Sequence, residues 1–207
     1  MKPFDPNDES ALVARAKADD FAAFEELANR LERRVYAHAL RILGNVHDAE
    51  DVTQQAFLSA LENLKAFRGE SSFSTWILSI ATYAALKLIR KRKRFFSLDA
   101  SSEEPDDYRA IPKPSYIADW RESPEELVQR RETAALLKDA LTQLDEKHRA
   151  VFLLRDVEGL SVRETAQALG ISEGNTKVRL LRARLQLREI LTRELGDSAK
   201  LLEAAAH

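Results

Sequence analysis

With 207 residues, 44% hydrophobic and 32% charged, the chain can form one domain or two small ones, each near the lower limit for an independent core. Its net charge of −2 says little, but the charges are segregated: acid at Asp5, Asp8, Glu9, Asp19 and Asp20 and again at Asp99–Asp107, base at Arg90–Arg94 and Lys177–Arg188. There is no cysteine, which excludes disulfides and thiolate metal sites, and no apolar run approaches the ~20 residues of a membrane span.

The opening "MKPFDPNDES" is acidic and has no apolar signal core, so no membrane insertion is expected and the cytoplasm is the default location. Phe21–Leu43 carries Phe24, Leu27, Leu31, Val35 and Leu43 at largely helical steps. "GN" at Gly44–Asn45 ends that helix, and Asn45 can cap the next, His47 to about Phe67, whose acidic start suits the helix dipole. "RGESS" is a short polar loop. In the segment from Ser71 to Arg94, Phe73, Trp76, Ile80, Tyr83, Lys87, Arg90 and Arg94 follow one helical stripe. Ile77, Ala81, Ala84 and Leu88 follow a second, apolar stripe suited to a core. The first stripe ends in fixed positive charge, so a wholly buried role does not explain it.

The pattern breaks at 97–124. Four of the six prolines lie between Pro105 and Pro124, among acids and serines, which marks a linker; "SYIADW" within it is apolar enough for Trp120 to dock. Four more helices are expected: Glu125–Leu144, Glu146–Asp156, Val162–Leu169 and Asn175 to about Leu195. The expected fold is all-α, with two small helical domains, 1–96 and 125–207, joined by the acidic, proline-containing linker 97–124.

"SVRETAQALGISEGNTKVRLLRAR" has the proportions of a helix-turn-helix: a short helix with small Ala166, a turn at Gly170, then a longer helix. In the last helix Thr176, Leu180, Ala183, Leu187 and Ile190 form one buried stripe. Lys177, Arg182, Arg184 and Arg188 lie off it, as do Val178 and Leu181. Arginine can grip guanine edges, either cation can hold phosphate, and an apolar side chain can meet a thymine methyl. A solvated basic helix is the bland reading. Lys177 and Arg182, near the helix start, are assigned to bases; Arg184 and Arg188 are assigned to phosphates.

"DAEDVTQQAFLSAL" at Asp48–Leu61 and "FRGESSFSTWILSIA" at Phe67–Ala81 resemble region 2 of bacterial sigma factors, closest to the extracytoplasmic-function (ECF) group. "VFLLRDVEGLSVRETAQALGISEGNTKVRLLRARLQLRE" resembles region 4 of the same group. The two motifs stand in the family's order and cover most of the chain. The resemblance implies a promoter-specificity subunit that binds core RNA polymerase and directs transcription initiation. It implies that Asp48, Asp51, Gln54 and Gln55 dock on a coiled coil of the largest polymerase subunit; Asp51 and Gln55, one turn apart, can share a face.

The resemblance places a −10 DNA-reading pocket at the loop Arg68, Gly69, Glu70, Ser71 and Ser72. Phe73 and Trp76 flank it, as stacking platforms or as core, and Lys87, Arg90, Lys91 and Arg94 supply a backbone grip. It places −35 contacts at Asn175, Lys177, Val178, Leu181, Arg182, Arg184 and Arg188. Stacking at about 1–3 kcal/mol per base is comparable to the few kcal/mol needed to unstack one. Such a site captures an opened base without forcing a long duplex apart.

Two positions depart from the family pattern: Tyr83 where many members have asparagine, and Lys87 where an acid is common. The resemblance also implies that the acidic linker threads into the polymerase near the template-strand path, and that an anti-sigma factor is a partner. A solubilising tether is the alternative for the linker. No cofactor, metal site or catalytic set is expected: the four histidines are scattered, and there is no Gly-rich phosphate loop. The competing function is a helix-turn-helix regulator that does not join core polymerase as a sigma subunit.

Overall fold

A computed structural model describes residues 6–96 and 136–205, with side chains over 9–92 and 136–193. Among the described residues every regular element is helical, in the order α1 (Pro6–Lys17), α2 (Phe21–Leu43), α3 (Val46–Asn63), α4 (Phe73–Phe96), α5 (residues 136–143), α6 (Glu146–Phe152), α7 (Val162–Leu169) and α8 (Glu173–Ala205). The expected linker 97–124 with its Trp120, and the first part of the helix expected from Glu125, lie outside the described residues.

The punctuation of the N-terminal half follows local chemistry. Asp20 caps α2 by accepting from the Ala23 amide at 3.2 Å, and the helix ends where the Gly44 amide returns to the Leu40 carbonyl at 2.8 Å. Asn45 caps α3 by accepting from the Asp48 amide at 3.1 Å, as its side chain predicts. α3 stops at Asn63, short of the expected end near Phe67. The 3₁₀ turn Leu64–Ala66 tightens the chain, and the Phe67 amide closes on the Leu64 carbonyl at 3.1 Å. That turn swings Phe67 back over the start of α4.

The stripe of α2 buries Phe24, Leu27, Leu31 and Val35 and continues through His38, Ala39 and Ile42, with Leu43 at the margin. It meets Ala49, Val52, Ala56 and Ala60 of α3 and Phe73, Ile77, Leu78, Ala81 and Ala85 of α4. The alanines let three helices approach closely. α1, which no sequence periodicity announced, adds Leu12, Val13 and Ala16 to the same core.

In the C-terminal half, α6 passes into a π turn at Leu153–Val157 rather than running as α-helix to Asp156. The Glu158 amide bonds the Leu153 carbonyl at 2.9 Å and the Leu160 amide bonds Leu154 at 3.0 Å. The widened turn buries Leu153 and Leu154 and points Glu158 out of the helix toward α2. α7 begins with a capping box: the Glu164 amide donates to Ser161 Oγ at 3.2 Å, and the Ser161 amide donates to the Glu164 carboxylate at 2.8 Å. Gly170 then adopts φ 64°, a left-handed conformation that a side chain would strain, and α8 starts after the turn. α8 runs about ten residues beyond its expected end.

The two halves touch. Arg149 donates from Nη1 to the Ile42 carbonyl in the last turn of α2 at 2.8 Å, and from Nη2 to Thr142 and Leu144 at 2.7 and 2.8 Å. One guanidinium thus satisfies carbonyls at two helix ends. Burial lowers its pKa against the opposing pull of Glu146 and Asp145.

Removing the α7 cap tests this local account. Ser161→Ala is expected to destabilise the C-terminal half by about 1 kcal/mol, and Ser161→Asp to restore most of it. Urea unfolding followed by circular dichroism reads both; an unchanged midpoint for Ser161→Ala contradicts the cap.

Candidate nucleic-acid and protein interfaces

Three surfaces carry the sequence-predicted residues. The first is a groove of about 800 Å³ between α2 and α3. Asp51 and Gln54 lie on its wall beside Phe21, Phe57, Leu58 and Leu61. Phe21 is 65% exposed and Leu58 51%, so large apolar side chains stand in water beside an uncompensated carboxylate. These four apolar residues were missed. Leu58 and Leu61 follow Asp51 and Gln54 by seven residues each, and that step was the available signal.

Gln55 is exposed but lies outside the groove lining, where Gln54 stands with Asp51. Asp48 is drawn into the fold rather than left on the groove wall. It is nearly buried, and Arg92 of α4 grips it with both guanidinium nitrogens, Nη2 to Oδ1 at 2.6 Å. A carboxylate inside the bundle recruits the nearest long cation, and the pair ties α3 to α4; Asp48 correspondingly raises the pKa of Arg92.

The second surface surrounds the loop Arg68–Ser72. A cavity of about 410 Å³ is lined by Phe67, Arg68, Glu70, Ser71, Thr75, Trp76 and Ser79, and on its far side by Glu164, Gln167 and Ala168 of α7. Trp76 stacks on Phe67 with centroids 4.7 Å apart and planes at 27°, and remains partly exposed to the cavity. Phe73 does not flank the cavity. It is 1% exposed and meets Phe24 and Phe67 edge-on at 6.3 and 6.1 Å, because the first turn of α4 points it between α1–α2 and the 3₁₀ turn. It is core.

Gly69, at φ 72°, turns the loop. Arg68 and Glu70 project into solvent 3.8 Å apart. Ser72 spends its hydroxyl on the start of α4, accepting from the Thr75 amide at 3.0 Å. Beyond the cavity the stripe emerges as foreseen: Tyr83, 64% exposed, then exposed Lys87, Arg90 and Lys91. Arg94 is on α4, but its side chain lies outside the described residues.

α1 braces this loop at both ends, a role absent from the sequence reading. Buried Glu9 accepts from the Ser74 amide at 3.1 Å, placing a carboxylate at the positive end of α4. Lys17 donates to the Phe67 carbonyl and sits 5.6 Å over the Phe67 ring. The only sequence signal was the acid–base spacing across residues 9–17, which solvation explains equally well.

The third surface is the start of α8. Thr176, Leu180, Ala183 and Leu187 are buried and Ile190 half-buried, as the stripe requires. Lys177 and Arg188 are exposed; Asn175, Val178, Leu181 and Arg182 are half-buried along the same flank. Arg184 is the exception. Its Nε and Nη2 bond Asp156 at 2.8 and 2.7 Å, which raises its pKa. The acid that ends the π turn has taken the guanidinium assigned to phosphate.

Among the described residues no cluster of three or more His, Cys, Asp or Glu could hold a metal ion. No helix there is long and apolar enough to cross a membrane.

Residues 27–95 match the sigma-70 region 2 family and residues 134–187 the sigma-70 region 4 family. The ECF RNA polymerase sigma factor SigW of Bacillus subtilis is 33% identical over 179 residues, covering 86% of this chain and 94% of SigW. The ECF RNA polymerase sigma factor SigE of Mycolicibacterium smegmatis is 32% identical over 200 residues, covering 95% and 74%. Among solved structures, CnrH in complex with the cytosolic domain of CnrY superposes with TM-score 0.61 at 25% identity, covering 90% of this chain and 98% of that one. RpoE in complex with the anti-sigma factor NepR from Bartonella quintana shares the fold at TM-score 0.59 and 22% identity, covering 82% and 96%.

The two aromatics separate by mutation. Trp76→Ala is expected to destabilise the fold clearly less than Phe73→Ala while removing about 1–3 kcal/mol of single-strand stacking. Phe73→Ala is expected to cost about 3–5 kcal/mol of fold stability. Equal destabilisation by both would make Trp76 core as well.

Proposed function

Because this chain belongs to the extracytoplasmic-function family of RNA polymerase sigma factors and directs promoter-specific transcription initiation, we propose that it divides that work among three surfaces. Residues 1–96 form the unit that docks on core polymerase and captures the −10 element. Residues 97–124 connect, and residues 125–207 read the −35 element.

The observation that carries this reading is the coexistence of an exposed apolar groove between α2 and α3 and an aromatic-floored cavity, walled on its far side by α7, beside exposed cations. The groove suits a protein helix pair: Phe21, Leu58 and Leu61 supply apolar area, while Asp51 and Gln54 set register. The largest-subunit coiled coil is the assigned occupant. The cavity suits an unpaired base, with Trp76 as the face, Ser71 and Glu70 as edge readers, and Lys87, Arg90 and Lys91 along the backbone. A duplex-only regulator has no use for either feature.

On α8, Lys177 and Arg182 are assigned to base edges, Asn175 and Arg188 to phosphates, and Val178 and Leu181 to apolar contacts. Arg184 joins them only if it leaves Asp156. Neither a catalytic role nor a cofactor enters this scheme. Its place of action is the cytoplasm, where the polymerase is. The solved relative RpoE is bound to an anti-sigma factor, which supports a regulatory partner of that kind here.

The deciding experiment is reconstitution: purified chain plus core polymerase should yield specific start sites, and a requirement for a second sigma factor would overturn the reading. Asp51→Arg should weaken core binding at least tenfold, about 1.4 kcal/mol, with an unchanged circular dichroism spectrum. Arg182→Ala should lose about 1–3 kcal/mol at particular −35 positions. A uniform loss across sequences would reassign Arg182 to phosphate.

A further inference from the structure

α2 presents a polar socket to the C-terminal half. Arg34, His38 and Arg41 fall at helical steps of four and three, and the π turn delivers Glu158 among them. The Glu158 side chain is 5% exposed. Arg34 Nε lies 2.8 Å from Oε2, and Arg34 Nη2 donates to the Glu158 carbonyl at 3.2 Å. Arg41 Nη1 lies 3.6 Å from Oε1 and His38 Nδ1 3.5 Å from it.

The floor of the socket has a fixed polarity. His38 is fully buried, with Nε2 2.8 Å from Thr82 Oγ1. Thr82 gives its own hydrogen to the Leu78 carbonyl at 2.7 Å, so its oxygen accepts and His38 Nε2 carries a hydrogen. Nδ1 is then the remaining polar atom of the ring. It is buried and faces the carboxylate, 3.5 Å from Glu158 Oε1. Burial works to raise the Glu158 carboxyl, but the contacts with His38 and Arg34 outweigh it and hold the value below the ordinary range.

The residues that enter with Glu158 have a consequence for the −10 cavity. α7 packs on α4, and its Glu164, Gln167 and Ala168 form the cavity wall opposite Trp76. The −35 and −10 elements lie about 25 base pairs, roughly 85 Å, apart at 3.4 Å per pair. A folded chain of this length has a radius of gyration of about 17 Å. The halves in contact cannot reach both elements, so promoter engagement has to empty the socket.

We infer that Arg34, His38 and Arg41 form a carboxylate-binding site, and that Glu158 within it latches the C-terminal half over the −10 cavity. A buried ion pair adds little net stability but is orientation-specific, so it suits a contact that must hold one closed arrangement and still release. Separation of the halves exchanges this carboxylate for solvent and uncovers Trp76. The latch rests on the −10 reading of that cavity for its purpose, but not for its existence.

The absence of cysteine allows a dye pair at Glu62→Cys and Gln186→Cys, both exposed positions away from the socket, in the full-length chain. In a Trp120→Phe background Trp76 is the only tryptophan, and acrylamide quenching reports its exposure. Glu158→Arg is expected to lower energy transfer and roughly double the quenching constant, with unchanged helical content. The exchange Arg34→Glu with Glu158→Arg is expected to restore both. Should Glu158→Arg fold poorly, Arg34→Ala with Arg41→Ala tests the same socket from the other side. Wild-type transfer and quenching in the folded single-half variants would overturn the latch. Failure of every variant, wild type included, to direct transcripts with core enzyme would overturn the sigma assignment of these surfaces while leaving the latch intact.

Discussion

The structure depends on α4 meeting two environments along its length. Phe73, Ile77, Leu78, Ala81 and Ala85 are buried against α2 and α3, while Tyr83, Lys87, Arg90 and Lys91 remain in water. A helix so divided needs its rotation fixed, since a turn of a few tens of degrees would bury cations or expose Phe73. Glu9 and Ser72 fix its N-terminus, the His38–Thr82 hydrogen bond its middle, and the Asp48–Arg92 pair its C-terminal third. Each contact comes from a different element, so the orientation of the exposed basic stripe is set by the whole N-terminal half.

The same arrangement explains how a nearly neutral protein can offer the two polyanion contacts and one protein contact proposed for it. Cations that meet no acid inside the fold remain at Lys87, Arg90 and Lys91 and at Lys177 and Arg188. Those that meet one become structural: Arg92 on Asp48, Arg184 on Asp156, Arg34 on Glu158. Charge pairing therefore sorts the basic residues into exposed and bracing groups. The apolar groove stays open beside Asp51: among the described residues, those lining it come from α2 and α3 alone.

The extents of α2 and α7 and the buried stripe of α8 were legible in the chain. Each is a run with one dominant period, and α2 and α7 are bounded by a cap residue and a left-handed glycine, signals that act over a few residues. The loop Arg68–Ser72 and the exposure of Lys87, Arg90 and Lys91 were legible for the same reason. α1 was not, because its three core residues form too short a stripe to separate from a solvated acidic terminus. The apolar groove was missed because Leu58 and Leu61 read as core until their exposure is known. The partners of Asp48, Phe73 and Arg184 were not legible because periodicity gives a residue's face but not what stands opposite it.

The amino-acid sequence by itself determined an all-helical chain, the turn chemistry between most of its helices, and two motifs in an order that names a family. These follow from hydrogen bonds and side-chain steps within one helix or between adjacent ones. Only the tertiary structure decided which acids and bases are consumed internally, which aromatic faces the cavity, and where α7 comes to rest. Those outcomes depend on groups 28 to 124 residues apart, as in Asp156–Arg184 and Arg34–Glu158. No local pattern encodes such a pairing, because its energy exists only once both partners have been brought together and withdrawn from water.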